Sequence, residues 1–291
     1  MPDLHLVDGT YELFRAYYGA PPKTGRDGRE IGATLGVGRT LLALVTREQA
    51  SHVAVAFDTV IESFRNQLFA GYKTGAGIDP PLWAQFPLVE KMSEALGFAT
   101  LKMIDFEADD AMATLAAQHR DHVSRVWLCS PDKDLGQCVR TDRVVLRDRR
   151  RDLTLDHDAI IAKFGVEPAS IPDYLALVGD TSDGIPGLPK WGEKGAGAVL
   201  ARWKHLEAIP RDVAAWDVKA RGLVALSESL RAHWDEALLY RKLATLCEDV
   251  PDLPALEGLE WKGADRTKLA SLVTELGDDD GLTSRVPRWN G

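Results

Sequence analysis

No stretch of this chain approaches the ~20 continuous apolar residues that a membrane-spanning helix needs, so no such segment is expected. Cysteine is scarce. Cys129, Cys138 and Cys247 are the only three, and none stands in a CxxC spacing. That argues against a zinc knuckle and a disulfide framework and fits a reducing cytoplasm. The opening residues MPDLHLVDG carry no basic segment, so a secretory leader is not expected. Positive charge is in deficit: 35 Lys and Arg stand against 44 Asp and Glu, a formal net charge of −9. Taken alone, that argues against a nucleic-acid partner, because phosphates want a basic surface. The argument weakens if many acids gather at one metal site, where bound cations change the local sign. Two phosphate-binding signatures are also missing. GLPKWGEKGAGAVL (187–200) is not a Walker A loop, because Glu193 stands between Gly192 and Lys194 and Gly195 follows the lysine. GATLGVGR (32–39) fails G-x-G-x-x-G.

What is present points to an α/β fold. With 291 residues, 45% of them hydrophobic, the chain suits one large and one smaller domain. LHLVDG, HVAVAFD, RVWLCSPDKD and RVVLRD are short apolar runs, separated by helical patterns such as LGVGRTLLALVTRE and ADDAMATLAAQHRDH. Strands alternating with helices imply a mostly parallel sheet, and runs that are apolar throughout suit strands covered on both faces. After about Ile171 the patterns read as helices joined by Gly/Pro turns. The expected divisions are therefore 1–170, 171–277 and a tail over 278–291. There is no tandem repeat and no low-complexity block.

Ligand sites in open α/β sheets lie beyond the carboxyl ends of the strands. Asp8 and Asp58 end the first two runs, and Asp132 and Asp134 follow the third. FEADDAM places Glu107, Asp109 and Asp110 at a helix start, and GDTSDG supplies Asp180 and Asp183. Taken singly, each has a plainer reading as a helix N-cap or a turn residue. Together they are nine carboxylates with no histidine in any cluster. Gathered carboxylates repel unless protonated or neutralised by cations. An all-oxygen donor set suits Mg²⁺ or Mn²⁺ and not zinc. Two such ions ~3.5–4 Å apart can hydrolyse a phosphodiester without a histidine base.

The stretch 187–200 leads through a glycine turn into a helix. Backbone N–H groups there, with Lys190 and Lys194 beside them, can hold a phosphate without reading sequence. An ordinary helix-turn-helix corner is the alternative.

LVDG, FD…SFR, GYK, EADD, DKDL, GDTSDGIPG and GEKGA occur in the order and at the approximate spacings of the 5′-nuclease, or flap endonuclease, superfamily. The chain resembles that family over nearly its whole length. The nearest pattern is the N-terminal 5′-3′ exonuclease domain of bacterial DNA polymerase I and its stand-alone bacterial counterparts. The resemblance implies a PIN-like α/β catalytic domain carrying a helical arch over about 72–97, and a helix–three-turn–helix region that grips duplex DNA. It also implies two or more Mg²⁺ or Mn²⁺ ions, a K⁺ ion in the DNA-gripping turn, and hydrolysis to 5′-phosphate products.

Position by position, Asp8, Asp58, Glu107, Asp109, Asp110, Asp132, Asp134, Asp180 and Asp183 match the metal-binding acids. Arg65, Tyr72 and Lys73 match catalytic positions at the foot of the helical arch, where the 5′ strand passes, with Lys73 on the scissile phosphate and Tyr72 able to stack on a base. Arg15 matches a further phosphate contact. Gly187, Lys190, Gly192, Lys194 and Gly195 match the DNA-gripping turn. PPLWAQFPLVEKMSEALG would supply part of the arch, with Trp83 and Phe86 as packing residues. Four positions depart from the pattern: Ala76 where an arginine is usual, Gly184 for Asn, Trp191 for a small aliphatic residue and Gly195 for Thr or Ser.

The expected activity is structure-selective 5′-3′ exonuclease and flap endonuclease cleavage of DNA with 5′ flaps, nicks or recessed 5′ ends. The alternatives are a nuclease acting mainly on RNA in RNA–DNA hybrids, and a DNA-structure-binding protein with weak catalysis. A monomer in the bacterial cytoplasm or nucleoid, with no membrane partner and any polymerase working separately, completes the expectation. The nine acids alone equal the net charge, which leaves RDRRRD (147–152) and the turn segment as local basic surface.

Overall fold

The computed structural model describes residues 1–277 and 279–290 and resolves the chain into two compact units. The first comprises Met1–Ser63, Gly75–Ser130 and the chain from Glu248 onward. Its strands are β1 (Leu4–Asp8), β2 (His52–Asp58), β3 (Ala99–Met103) and β4 (Val126–Cys129). They pair in parallel in the order β3–β2–β1–β4, with Leu6 opposite Ala54 and Leu128 and with Ala56 opposite Leu101. All five residues of β1 are buried, which is why its sequence does not alternate. Helix Gly32–Thr46 contributes Leu35, Leu41 and Leu42 to the core, and helix Arg266–Leu276 contributes Leu269, Leu272 and Leu276. Among the described residues no helix is long and apolar enough to cross a membrane.

Two expectations change here. Of the stretch 72–97 expected to form an arch, Phe86–Ala95 is a core helix of this unit. Its Leu88, Val89, Met92 and Ala95 are buried at the spacing of one helix face. Phe86 is buried with them, and Trp83 packs on Phe86 with ring centroids 5.0 Å apart. The expected tail is likewise packed. Leu282 is fully buried, and Trp289–Asn290 pairs in parallel with Ala264–Asp265. Positions 278 and 291 of that tail lie outside the described residues. The chain from 248 thus returns to the first unit, and the two compact units part at Ser130 and Pro131.

The second unit comprises Phe64–Thr74 and Pro131–Cys247. A hairpin of β5 (Val144–Asp148) and β6 (Leu153–Leu155) is antiparallel, with Leu146 opposite Leu155. Helices His157–Phe164, Ile171–Val178, Glu193–Trp203, Leu223–Ala232 and Trp234–Ala244 supply the rest. In helix Ile171–Val178 every residue except Val178 is buried. The loop after it folds back on itself: Asp180 and Ile185 exchange both backbone hydrogen bonds at 2.8 Å. Gly184 sits within this loop at φ +74, where a Cβ would lie 2.1 Å from the Gly71 carbonyl oxygen. Asn tolerates such a left-handed backbone, but here only glycine also fits the space, which accounts for the departure at this position.

Arg65, expected beside the substrate, is a structural residue. It is 1% exposed, with its guanidinium 4.7 Å from the Phe64 ring. Nε donates to the Leu243 carbonyl at 2.8 Å and Nη2 to the Thr245 carbonyl at 2.9 Å. Gln137 Nε2 takes the intervening Ala244 carbonyl at 2.9 Å. These are the orphan carbonyls at the end of helix Trp234–Ala244, where a cation also suits the dipole. Arg65→Ala would leave buried acceptors unsatisfied beside a cavity. Unfolding in denaturant is expected to show a loss of ~3–5 kcal/mol. A loss below ~1 kcal/mol would contradict the structural role.

Candidate active site

In the first unit the acids gather at strand ends and at one helix N-terminus. Asp8 ends β1 and caps helix Gly9–Gly19: its Oδ1 accepts from the Tyr11 N–H at 2.8 Å. Its Oδ2 accepts from Ser130 Oγ at 2.9 Å. Asp58 ends β2. Its Oδ1 accepts from the Ala108 N–H at 2.8 Å, the first residue of helix Ala108–His119. Its own N–H donates to Thr10 Oγ1 at 2.8 Å. Glu107 and Asp110 form a reciprocal capping box at the same helix start, with the Glu107 N–H donating to Asp110 Oδ2 at 3.0 Å. Ser63 Oγ donates to Glu107 Oε1 at 2.7 Å. Asp110 is fully buried and Asp109 half-buried in the first turn. Asp58, Glu107 and Asp110 therefore meet around one positive helix end. The plain N-cap reading and the clustering of acids hold together, since one helix start serves both. Arg15 lies in the same unit and is engaged internally: Nε donates to Glu12 Oε2 at 2.9 Å and Nη2 to Thr40 Oγ1 at 3.1 Å.

In the second unit Asp134, Asp180 and Asp183 each bring a carboxylate oxygen within 4.8 Å of the others. Asp132 joins through its Oδ1, which accepts from the Asp134 N–H at 2.9 Å. Asp134 is 4% exposed, and its Oδ1 has no hydrogen-bond partner among the described residues. Burial, then the charges of Asp132, Asp183 and Asp180, push its carboxyl well above the usual range. Asp180 is also buried, which alone would raise it, but Lys133 and Ser182 hold it below the usual range. Ser182 donates from both its N–H, at 3.0 Å, and its Oγ, at 2.9 Å. Lys133 pairs with Asp180 Oδ2. Burial lowers the Lys133 ammonium, yet its acidic neighbours raise it further, so it stays charged.

Lys73 is pinned at the same loop. Its N–H donates to the Asp183 carbonyl at 3.0 Å, its carbonyl accepts from Asn66 Nδ2 at 2.9 Å, and Nζ lies 3.0 Å from Asp183 Oδ1. Tyr72 beside it is 4% exposed, so no ring face is open for a base, and the expected stacking role is corrected to packing. An all-oxygen donor set around a buried, unpartnered carboxylate oxygen fits a hard divalent cation.

The glycine turn opens helix Glu193–Trp203 at Gly192. Lys190 and Lys194 are exposed, and Gly187 is half-buried at φ +70. At Gly195 a Cβ would stand 3.2 Å from Leu226 Cδ1, so close packing of helix Leu223–Ala232 favours the missing side chain. Trp191 is buried 6.4 Å from Trp216, which itself lies 5.7 Å from Trp203. This cluster absorbs the bulk where a small aliphatic residue was expected. Sequence reading did not single out Ser63, Ser130 and Lys133, although Lys133 stands between two acids in DKD and could have been found there.

Comparison with known proteins gives a consistent picture. Residues 3–165 match the family described as 5′-3′ exonuclease, N-terminal resolvase-like domain, and residues 166–267 match 5′-3′ exonuclease, C-terminal SAM fold. A 5′-3′ exonuclease of Aquifex aeolicus is 32% identical over 277 residues, covering 95% of this chain and 92% of that protein. DNA polymerase I of Mycobacterium leprae is 34% identical over 281 residues, covering 94% of this chain. The chain spans 30% of that polymerase's length. Among solved structures, T5 5′-exonuclease with bound zinc has a TM-score of 0.68 at 18% identity, covering 94% of this chain and 98% of that one. The catalytic core of Rad2 in complex with DNA substrate has a TM-score of 0.62 at 14% identity, covering 98% and 93%. At such identities these two likenesses establish the fold alone.

Proposed function

Because the chain belongs to the 5′-3′ exonuclease family, a family of phosphodiester hydrolases, we propose that it cleaves DNA carrying 5′ flaps, nicks or recessed 5′ ends and leaves 5′-phosphate products. The observation that carries this reading is the cluster of Asp134, Asp180 and Asp183, with Lys73 held against Asp183. The acids of that cluster with Asp132, and Asp8, Asp58, Glu107, Asp109 and Asp110 of the first unit, are the proposed ligands for Mg²⁺ or Mn²⁺. When bound, such ions lower the pKa of water and stabilise charge on the reacting oxygens. The chain's own groups do the rest. Asp134 and its neighbours remain deprotonated once cations offset their mutual repulsion. The Lys73 ammonium, released from Asp183, donates to a phosphate oxygen where negative charge accumulates. Lys190, Lys194 and the N–H groups at the turn hold duplex phosphates and carry no sequence preference. The same reading extends to K⁺ at the carbonyls of the turn. Arg65 and Tyr72 act by position, through the helix end and the packing that keep Lys73 at the loop.

The test is cleavage of labelled flap, nicked and RNA–DNA hybrid substrates with Mg²⁺ and with excess chelator. Flap and nick cleavage only with the metal is expected. Strong activity in chelator would end the metal reading. A preference for the hybrid would replace DNA with RNA as the substrate.

A further inference from the structure

Lys190, Lys194, Lys219 and Arg221 line one cavity of about 410 Å³, together with Gly192 and Gly195 of the turn. Among the described residues no acidic side chain lines it. All four cations are exposed, and none is paired with a carboxylate among the described residues. Other cations of the same unit behave differently. Arg202 pairs with Asp217 at 3.0 Å, Lys204 with Glu167 at 2.9 Å and Arg241 with Glu207 at 2.6 Å. Four unpaired like charges around one concavity repel one another, and an anion is the partner that relieves them.

The backbone supports the same ligand. Lys190 holds φ +73, a left-handed conformation that costs a non-glycine residue ~1–2 kcal/mol. Strain of this kind persists where the surroundings or a function demand it. Among the described residues, a Cβ at Gly192 would meet nothing within 4 Å, so the space before the helix start is open. The N-terminal N–H groups of helix Glu193–Trp203 add a partial positive charge at the same place.

We propose that Lys219 and Arg221 form a second arm of the phosphate seat, lining the same cavity as the glycine turn. The turn holds one backbone phosphate of the duplex, and the 219–221 segment holds a further phosphate of the nucleic-acid backbone. The inference rests on the reading of the turn as a duplex grip. No motif marks these two residues, since they lie on a separate segment that only the fold brings to the turn. The contact is to phosphate alone, so it adds affinity and register without sequence preference.

The test compares wild-type protein, K219A/R221A, K194A and an exposed-charge control, K268A, on one flap substrate across a salt series with Mg²⁺. Half-saturating DNA concentration and maximal single-turnover rate are read at each salt. Each lost phosphate contact removes ~0.9 from the slope of log affinity against log salt. K219A/R221A is therefore expected to flatten the slope by about 1–2 and raise the half-saturating concentration ~10–100-fold at moderate salt. The maximal rate should stay unchanged. If K219A/R221A matches K268A while K194A flattens the slope, the second arm is overturned and the turn reading stands. If K194A matches K268A as well, both fall.

Discussion

Asp134→Asn is expected to lower cleavage at saturating Mg²⁺ by ~10³-fold or more and, in the same protein without metal, to raise the melting temperature. The two effects have opposite signs because one carboxylate serves two states. With metal it is a ligand, and a loss of ~4 kcal/mol of barrier lowering matches the several kcal/mol that a metal site contributes. Without metal its ionised form is a costly buried charge, 4% exposed, with an unpartnered Oδ1 and Asp132, Asp183 and Asp180 around it, which is why the carboxyl is held well above the usual range. The amide of Asn removes that charge at nearly the same volume and offers N–H donors to the remaining carboxylates. A gain of ~1–2 kcal/mol is in proportion to the desolvation of one such group, which corresponds to ~2–8 °C for a unit of this size. Mg²⁺ should then stabilise the wild-type protein more than the variant, since binding to the folded state alone adds stability. Calorimetry with and without Mg²⁺, beside single-turnover cleavage, reads both halves. A variant that cleaves normally, or one whose metal-free melting temperature drops, would refute the assignment of Asp134.

Lys73→Ala is expected to lower the maximal cleavage rate by ~10²–10³-fold, the loss found when one donor to a developing oxyanion is removed. Affinity for DNA should change little, because a single contact made mainly in the transition state moves the rate more than ground-state binding. The location argues for this role. Two hydrogen bonds fix the Lys73 backbone, its N–H donating to the Asp183 carbonyl and its carbonyl accepting from Asn66 Nδ2, so the ammonium cannot drift far from the carboxylates. Nζ lies 3.0 Å from Asp183 Oδ1, and that pairing offsets one carboxylate charge when no cation does so. Its removal should therefore lower metal-free stability, opposite in sign to Asp134→Asn. Lys73→Arg should recover part of the rate, limited by a guanidinium that is bulkier and differently directed than an ammonium. Equal rates for Lys73→Ala and wild type, measured under single-turnover conditions, would assign the charge stabilisation to another cation.

The acids were legible because local pattern and topology agree. Short apolar runs ending in Asp8 and Asp58 could only be strands of a buried parallel sheet, and parallel strands bring their carboxyl ends to one edge. Glu107 and Asp110 were readable as a helix start from spacing alone, and the capping box is what that spacing makes. Gly184 was visible only as a departure, and its reason lies in the Gly71 carbonyl, far from it along the chain. The tertiary structure alone decided the rest. Nothing local told that Arg65 would end beneath carbonyls 178 and 180 residues away, where burial turns a candidate substrate contact into a helix cap. The amphipathic stretch Phe86–Ala95 carries the same face whether it covers a substrate or a core, and Leu88, Val89 and Met92 went to the core because apolar area left water there. Lys133 and the pair Lys219 and Arg221 carry the same charge in any sequence reading. Their roles depend on which carboxylate or cavity the fold places beside them, and that is a property of long-range packing, which local residue patterns do not encode.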